Sequence, residues 1–321
     1  MTARNRFLGA TVATLAALAL LPAAVRPQGS RTSRPNILFI MTDDHAAHAI
    51  GAYGSRVNKT PNLDRLAREG ARLTSVFATN SICTPSRAAI LTGQYSHLNG
   101  VTMFNRFDGS RMTVARLLQR GGYYTGMIGK WHLGSDPVGF DRWEILPGQG
   151  VYFDPVMYTA TSETTYVGKY ATDVITERAI DFLDKRPRDK PFFLMMHHKA
   201  PHRPWDPDSV HAAHFASMRI PEPTTFWDGY ETRTDALHEN QQRVAKDLTN
   251  RDLKRTPPTG LDAAALGRWQ QTKPDTRAKR SRAGSTSGTC RTTSPPYSRW
   301  TRAWEKCSTT STATDSPATR S

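Results

Sequence analysis

Cysteine is scarce in this sequence. The 321 residues include three cysteines, and Cys83 is the only one before position 290. Small secreted domains that depend on disulfides carry many more, so the sequence excludes a disulfide scaffold. A lone thiol needs another explanation, and two remain open: a buried structural residue or a reactive group.

Long apolar runs are scarce as well. The run from Phe7 to Leu21 is short for a membrane-spanning helix. Arg4 and Arg6 precede it and small residues follow, which is the layout of a secretory signal peptide with cleavage between Ala23 and Pro27. We therefore predict a signal peptide at residues 1–26, export to the periplasm or beyond the cell, and no stable membrane span. An uncleaved N-terminal anchor is the alternative.

A concentrated basic element is also missing, although the formal net charge is +15. Residues 276–321 contain nine Lys and Arg against two Asp and Glu, whereas the other residues contain 34 against 26. No basic helix is apparent in this larger part. The distribution argues against nucleic acid as a partner and is compatible with a small anionic substrate.

Apolar runs alternate with helix signals along the chain. Asn36–Met41 and Pro191–Met196 predict strands buried on both faces. A helix is predicted from Pro61 to Gly70, with Leu63, Leu66 and Ala67 facing inward. Further elements are predicted as strands at Arg72–Ala78 and Tyr123–Ile128 and as helices at Thr113–Arg120 and Ala171–Lys185. The alternation predicts an α/β domain over residues 34–275, with a doubly wound, mostly parallel sheet flanked by helices.

Polar groups follow three of these strands. Asp43 and Asp44 end the first strand, Lys130 and His132 follow the strand after Gly122, and His202 follows the strand from Pro191. Functional groups of doubly wound sheets collect beyond the carboxyl ends of strands. Adjacent carboxylates repel each other unless a cation lies between them, and Ca²⁺ takes such oxygen ligands. A solvated turn and ordinary surface polarity are the alternatives for each group alone, and convergence on one edge favours a site.

Cys83 is expected at the same edge. Thr84 is a candidate N-cap and Pro85 a first helical residue, so a helix is predicted to begin directly after Cys83. The free backbone N–H groups and the helix dipole at such a position attract anions. The thiol is therefore expected beside an anion-binding pocket.

Two motifs carry a family resemblance. Cys83-Thr-Pro-Ser-Arg87 resembles the Cys-x-Pro-Ser-Arg signature of the formylglycine-dependent sulfatases, and GYYTGMIGKWH, which ends at His132, resembles their second signature. The segment 36–44 resembles the family's first strand with its metal-binding aspartates, and Ala200-Pro-His202 resembles its later histidine. The resemblance covers roughly residues 34–275 and implies an alkaline phosphatase-like fold.

The resemblance also implies a role for each matching residue. In that family a maturation enzyme oxidises the signature cysteine to formylglycine, and the hydrated aldehyde attacks the sulfur of a sulfate ester. Carried over, Cys83 is the nucleophile precursor and Arg87 supports the diol. Lys130 and His202 neutralise sulfate oxygens, and His132 orients or deprotonates the diol.

The implied metal is Ca²⁺, with Mg²⁺ as the alternative, bound by Asp43, Asp44 and the modified Cys83. The segments PGQGVYFDP and HHKAPHRPW resemble carbohydrate sulfatases of the N-acetylglucosamine-6-sulfatase kind, so a sulfated carbohydrate is the expected substrate. Trp131, Trp143 and Trp205, which we expect to be exposed, can stack on sugar rings. The alternatives are a phosphate or phosphonate monoester hydrolase and a non-catalytic protein that binds sulfated glycans.

The composition changes after Asp275. Ser and Thr make up 20 of the residues in 276–321, which predicts a disordered tail. The family's second pair of metal ligands and its other lysine have no match, so we expect the chain as printed to be truncated and inactive. A shifted reading frame allows DLQDYLAAVLAVDEGVGKVLDYLD in place of Thr289–Thr312, a segment with helical apolar spacing. We therefore predict that one base was lost near Thr276. Cys290 and Cys307 would then result from the shifted reading frame and would not form a disulfide.

Overall fold

The computed structural model describes residues 34–216, 218, 220–225, 227–241, 247–252, 254–257 and 261–271. The chain divides at Pro35, and the account below concerns the unit that follows it. The predicted signal peptide at 1–26, and the tail at 276–321 with its proposed frameshift, lie outside the described residues. Within the described ranges, no helix combines the length and apolarity that crossing a bilayer requires.

Six strands in the described part of the chain form one sheet. They are β1 (Ile37–Met41), β2 (Tyr124–Lys130), β3 (Arg142–Leu146), β4 (Val156–Tyr158), β5 (Glu163–Thr165) and β6 (Phe192–His197). Their order is β1-β6-β2-β3-β4-β5, in which β1, β6, β2 and β3 run parallel and the β3–β4 and β4–β5 pairs are antiparallel. The prediction of a mostly parallel sheet is confirmed.

Helices pack on both faces of this sheet. The helices of the described residues are α1 (Pro61–Glu69), α2 (Cys83–Thr92), α3 (Ser96–Asn99), α4 (Val114–Arg120), α5 (Ala171–Lys185), α6 (Ser209–Ala216), α7 (Asp235–His238) and α8 (Ala263–Gln271), with short 3₁₀ turns at Ala47–Ala49 and Gly51–Tyr53, and three of them, α2, α4 and α5, lie on the sheet. On one face, α2 and α4 pack on a cluster that includes Met127 and Met195. On the other, α5 packs on Ile128 and Leu194. Successive residues of β2 and β6 therefore serve opposite core layers, as the pleat of a strand requires.

The prediction of strands buried on both faces is right for β6 and wrong for β1. All six residues of β6 are buried, whereas Leu38 and Ile40 of β1 are 46% and 50% exposed. Helix α5 packs over β2 and β6. Within the described residues, α5 does not extend over the edge strand β1, so the face of β1 that carries Leu38 and Ile40 remains open to solvent.

Two other sequence-based expectations are wrong. Residues 72–78 form no strand, and Leu73, Val76 and Phe77 are exposed. An apolar stretch becomes a strand only where a neighbouring strand accepts its backbone, and the described part of the sheet provides none there. Helix α1 begins and ends as predicted, but Leu66 points away from the core.

Candidate active site

The site lies where the parallel strands β1, β6 and β2 end. Asp43 follows β1, Lys130 is the last residue of β2, and the segment after β6 begins at His198. The backbone N–H of Asp43 donates to the carbonyl of Ala200 at 3.0 Å, and that of His198 donates to the carbonyl of Met41 at 2.8 Å. These bonds hold the segments after β1 and β6 together beyond the sheet edge.

Asp43 joins two buried cations. Its Oδ2 accepts from Lys130 Nζ and, at 3.2 Å, from Arg87 Nη2, and all three side chains are buried. Burial alone would raise the pKa of Asp43, but the charges of Lys130 and Arg87 outweigh it and lower that pKa. Burial lowers the pKa of Lys130 and of Arg87, and the Asp43 charge opposes this in both. The cluster therefore holds an ionised carboxylate between two cations.

Helix α2 places Cys83 and Arg87 one turn apart on the same side. Arg87 donates to the backbone carbonyl of Lys130, and its Nη1 lies 3.1 Å from Nδ1 of His197. Burial, followed by the charge of Arg87, lowers the pKa of His197 well below its usual value, so the ring is neutral and its Nδ1 can accept a hydrogen bond from the guanidinium. Cys83 is a free, half-buried thiol at the first position of α2.

A glycine allows the two central strands to meet directly below Lys130. Gly129 has φ of +104°, and a Cβ atom there would lie 2.0 Å from the carbonyl oxygen of His197. An L side chain is excluded both by the left-handed backbone and by the neighbouring strand. Gly129 thus permits the close approach that positions Lys130 over the strand ends.

Thr84 does not cap its helix as predicted. The helix begins at Cys83 itself, and the N-cap residue Ile82 makes no side-chain bond to it. The buried Thr84 hydroxyl instead donates to the carbonyl of His132 at 3.0 Å, and its oxygen lies 3.4 Å from His132 Nδ1. His132 has φ of +54°, so its loop turns sharply after β2 and brings the ring against the start of α2.

His132 lies at the open side of the cluster. Burial, and then the charges of Lys130 and Arg87, lower the pKa of His132 to about 4, so the ring is neutral near pH 7. The ring of Phe104 lies 5.9 Å from the His132 ring and is tilted by 49°. Phe104 is 61% exposed. An aromatic face is therefore open to solvent beside the predicted catalytic histidine.

Asp43, Asp44 and His202 form a candidate metal centre. One ligand atom from each lies within 4.8 Å of the others. Burial, and then the charge of Lys130, lower the pKa of His202 to about 4. Its Nδ1 lies 2.6 Å from the carbonyl of Arg203, which can only accept, so the ring proton is on Nδ1. The unprotonated Nε2 then faces Asp44 Oδ2 at 3.6 Å.

The sequence analysis did not identify Gln149 and Lys199, which form hydrogen bonds beside Lys130. Lys130 Nζ donates to the side-chain carbonyl of Gln149 at 2.5 Å, and Lys199 Nζ donates to the backbone carbonyl of Gln149 at 3.1 Å. Burial, and then the charge of Lys130, lower the pKa of Lys199 to about 8. A lysine two residues after a fully buried strand was the signal available for Lys199. Gln149 lies in an exposed turn, and the sequence carries no comparable signal for it.

The prediction of three exposed tryptophans that stack on sugar rings is corrected here. Trp131 is buried in the core, so it cannot stack on a sugar. Trp143 is half-buried and packs edge-on against Tyr158. Trp205 is half-buried beneath the guanidinium of Arg203. The aromatic ring exposed beside the cluster is Phe104.

Comparison with known proteins gives a consistent family. A family model described as Sulfatase matches residues 35–253. The chain is 48% identical over 245 residues to N-acetylglucosamine-6-O-sulfatase of Bacteroides thetaiotaomicron, covering 75% of this chain and 44% of that protein. It is 31% identical over 223 residues to human N-acetylgalactosamine-6-sulfatase, covering 57% and 41%. The chain thus spans less than half the length of these relatives.

Solved structures agree with this result. BT4656 in complex with its substrate D-glucosamine-2-N,6-O-disulfate matches with a TM-score of 0.76 and 38% identity, covering 87% of this chain and 59% of that chain. Ps i-CgsB in complex with k-i-k-neocarrahexaose matches with a TM-score of 0.54 and 27% identity, covering 60% and 51%.

Proposed function

This chain belongs to the sulfatase family, and from that premise we propose that its site hydrolyses the sulfate ester of a carbohydrate through a formylglycine derived from Cys83. The observation that carries the proposal is the cluster at the strand ends. Cys83 lies one helical turn from Arg87, which is fixed on Asp43 beside Lys130. A sulfate ester is anionic, and buried cations there stabilise the negative charge that shifts during displacement.

A divalent cation fits beside Asp43 and Asp44. The unprotonated Nε2 of His202 and the carboxylate of Asp44 face each other without a proton between them. Partial desolvation, and then the charge of Asp43, raise the pKa of Asp44, which is the direction expected for crowded carboxylates. A hard cation such as Ca²⁺ relieves this repulsion. When bound, it polarises a sulfate oxygen and favours ionisation of the nucleophile.

The same geometry refines the role of His202. The resemblance implies that His202 neutralises a sulfate oxygen, which requires a donor. The contact of its Nδ1 with Arg203 leaves Nε2 as an acceptor. We therefore propose His202 as a cation ligand and Lys130 as the donor to sulfate.

The proposed chemistry needs two proton-handling events. One hydroxyl of the hydrated aldehyde at position 83 attacks sulfur and gives up its proton, and the S–O bond to the alcohol breaks as the alcohol oxygen takes up a proton. The second hydroxyl loses its proton as the C=O re-forms, the bond from carbon to the sulfate oxygen breaks, and sulfate departs. His132, neutral near pH 7, is placed to accept a proton. Lys130 and Arg87 remain protonated beside the Asp43 carboxylate during both steps.

The proposed substrate is a sugar 6-sulfate of the N-acetylglucosamine type, acted on after export and after maturation by a formylglycine-generating enzyme. The relative that is 48% identical is named N-acetylglucosamine-6-O-sulfatase, and the BT4656 structure contains a sulfated glucosamine as its substrate. Phe104 supports the sugar proposal, since an exposed ring beside His132 can stack on a pyranose face.

The test combines a modification assay with turnover. The chain as printed and a frame-restored version are expressed with a formylglycine-generating enzyme, and the tryptic peptide 73–87 is analysed by mass spectrometry. We expect conversion of Cys83 in both versions and release of sulfate from N-acetylglucosamine 6-sulfate by the frame-restored version, and both are abolished by Cys83→Ala. Preferential hydrolysis of an aryl phosphate would favour phosphoryl transfer instead. A fully converted, folded protein that binds sulfated sugar without turnover in either version would contradict catalysis.

A further inference from the structure

The geometry points to Thr84 as a positioning residue that fixes both the backbone and the ring tautomer of His132. Thr84 lies in the signature pentapeptide but is neither the nucleophile precursor nor the arginine. We infer that its hydroxyl sets the His132 proton on Nδ1 and thereby leaves Nε2 as the free, proton-accepting nitrogen.

The first step is the direction of the Thr84 hydrogen bond. A hydroxyl has one proton, and the carbonyl of His132, 3.0 Å away, can only accept. Were the proton directed at the ring instead, the hydroxyl and carbonyl oxygens would face each other as two acceptors at that distance. Thr84 is 3% exposed. Repulsion between two desolvated oxygens is costly, so the hydroxyl proton points to the carbonyl.

The second step is the ring. Thr84 Oγ1 also lies 3.4 Å from His132 Nδ1. Because the Thr84 hydroxyl donates its hydrogen bond to the carbonyl, its oxygen offers only lone pairs to the ring. The contact with Nδ1 is therefore favourable only if Nδ1 carries the ring hydrogen. Burial and the nearby cations keep His132 neutral, so it has a single ring proton to place. Nε2 is then unprotonated.

The third step is the backbone. His132 adopts φ of +54°, a left-handed conformation that residues other than glycine adopt reluctantly. The bond from Thr84 to the His132 carbonyl anchors this conformation to α2. One hydroxyl therefore holds the loop after β2 and the ring it carries, and both are fixed relative to Cys83 in the preceding helical position.

Tautomer spectroscopy tests the inference without requiring turnover. In the ¹⁵N-histidine-labelled full chain near pH 7, with the His132 signals assigned by their loss in His132→Gln, we expect a protonated Nδ1 and an unprotonated Nε2. Thr84→Ser, which keeps the hydroxyl, should preserve this pattern, and Thr84→Val should convert it to a mixture of tautomers. A protonated Nε2 in the unaltered chain would overturn the inference even if Thr84→Val does not fold.

The matched control is Thr92→Val in the same helix. Thr92 donates to the carbonyl of Ala88 within α2 at 2.7 Å, so its removal deletes an equivalent hydroxyl without touching His132. We expect the His132 signals to stay unchanged. Equal shifts in Thr92→Val and Thr84→Val would show a general perturbation of α2, and an unchanged tautomer in folded Thr84→Val would show that another group sets it.

The consequence for turnover rests on the proposed function. In frame-restored protein with equal Cys83 conversion by mass spectrometry, Thr84→Val should lower kcat by about tenfold or more with little change in KM, because misplacing a general base forfeits part of its effect. Thr84→Ser should restore kcat. A Val variant with altered tautomer but full kcat would contradict the catalytic consequence, whereas the expected tautomer in a protein without sulfatase activity would contradict only the proposed function.

Discussion

Asp43 contacts both buried cations of the site. Lys130 is fully buried and Arg87 is 4% exposed, so their charges are compensated by Asp43 and not by water. The lowered pKa of Asp43 shows that their attraction outweighs its burial. At the scale of the residue, this carboxylate therefore has a structural role before any metal or substrate binds.

Asp43→Asn should destabilise the fold severely. The substitution keeps the shape of the side chain but leaves Lys130 and Arg87 as adjacent, uncompensated cations, and breaking such a buried pair costs about 3–5 kcal/mol. Urea unfolding measures the loss. Glu69→Gln is the control, because Glu69 pairs with Arg65 on the surface, where the expected loss is about 0.5 kcal/mol. Equal, small losses would show that Asp43 is not the central counter-ion.

Phe104→Ala should weaken substrate binding without changing the fold. Loss of an aromatic contact is worth about 1 kcal/mol, or roughly a fivefold rise in KM for a sugar sulfate. Phe104→Trp should keep the lower KM. Tyr95→Ala is the matched control, since Tyr95 is also exposed and stacks on a histidine, His97. If Tyr95→Ala raises KM as much as Phe104→Ala does, the special position of Phe104 is refuted.

Strand β2 is the element that organises the site. It pairs with β6 on one side and β3 on the other, and it ends at Lys130. Its approach to β6 depends on Gly129, whose position leaves no room for a Cβ atom beside the His197 carbonyl. The strand therefore fixes Lys130 and, through the following turn, His132.

Gly129→Ala should cost about 3 kcal/mol or more in thermal or chemical unfolding, because it combines a strained backbone with a clash in the central pair of strands. Gly168→Ala separates the two causes, since Gly168 has φ of +78° but open space around it. We expect a loss of about 1 kcal/mol there. Comparable losses in the two variants would mean that β2 moves away from β6 at little cost.

The whole chain combines a folded sulfatase-type unit with a tail of different composition. The fold matches BT4656 over 87% of this chain, whereas residues 276–321, rich in Ser, Thr and Arg, lie outside the described part. The domain limits at 34–275 and the frameshift near Thr276 remain predictions. Both can be tested on the molecule and on its gene.

Brief trypsin digestion should remove the tail and leave a stable product that ends near residue 275. The tail offers nine Lys and Arg, and a segment without apolar periodicity cannot protect them by packing. Mass spectrometry of the product gives its ends. Cleavage within β2 or α5 at the same rate as in the tail would contradict the predicted domain.

Sequencing the gene across the codon for Thr276 tests the frame. We expect one missing base relative to a frame that encodes DLQDYLAAVLAVDEGVGKVLDYLD, and we expect higher sulfatase activity from the restored gene. An intact frame encoding the Ser- and Thr-rich tail refutes the frameshift. The digestion result is independent of this outcome.

The sequence by itself determined the family, the mostly parallel sheet and the candidate residues. A signature motif is contiguous in the sequence, so the segment from Cys83 to Arg87 could be identified without a structure. A parallel strand buried on both faces is a continuous apolar run, so β6 could be predicted in the same way. Convergence of Asp43, Lys130 and His202 was also predictable, because parallel strands end at one edge.

Only the tertiary structure decided which partners these residues have. The Thr84 hydroxyl donates to the carbonyl of His132, and Gln149 accepts a hydrogen bond from Lys130. Trp131 is buried in the core, whereas Phe104 is exposed. Each outcome depends on contacts between segments far apart in the chain. Local propensity cannot encode these contacts, since the free energy of a side chain is set by the neighbours that the complete fold supplies.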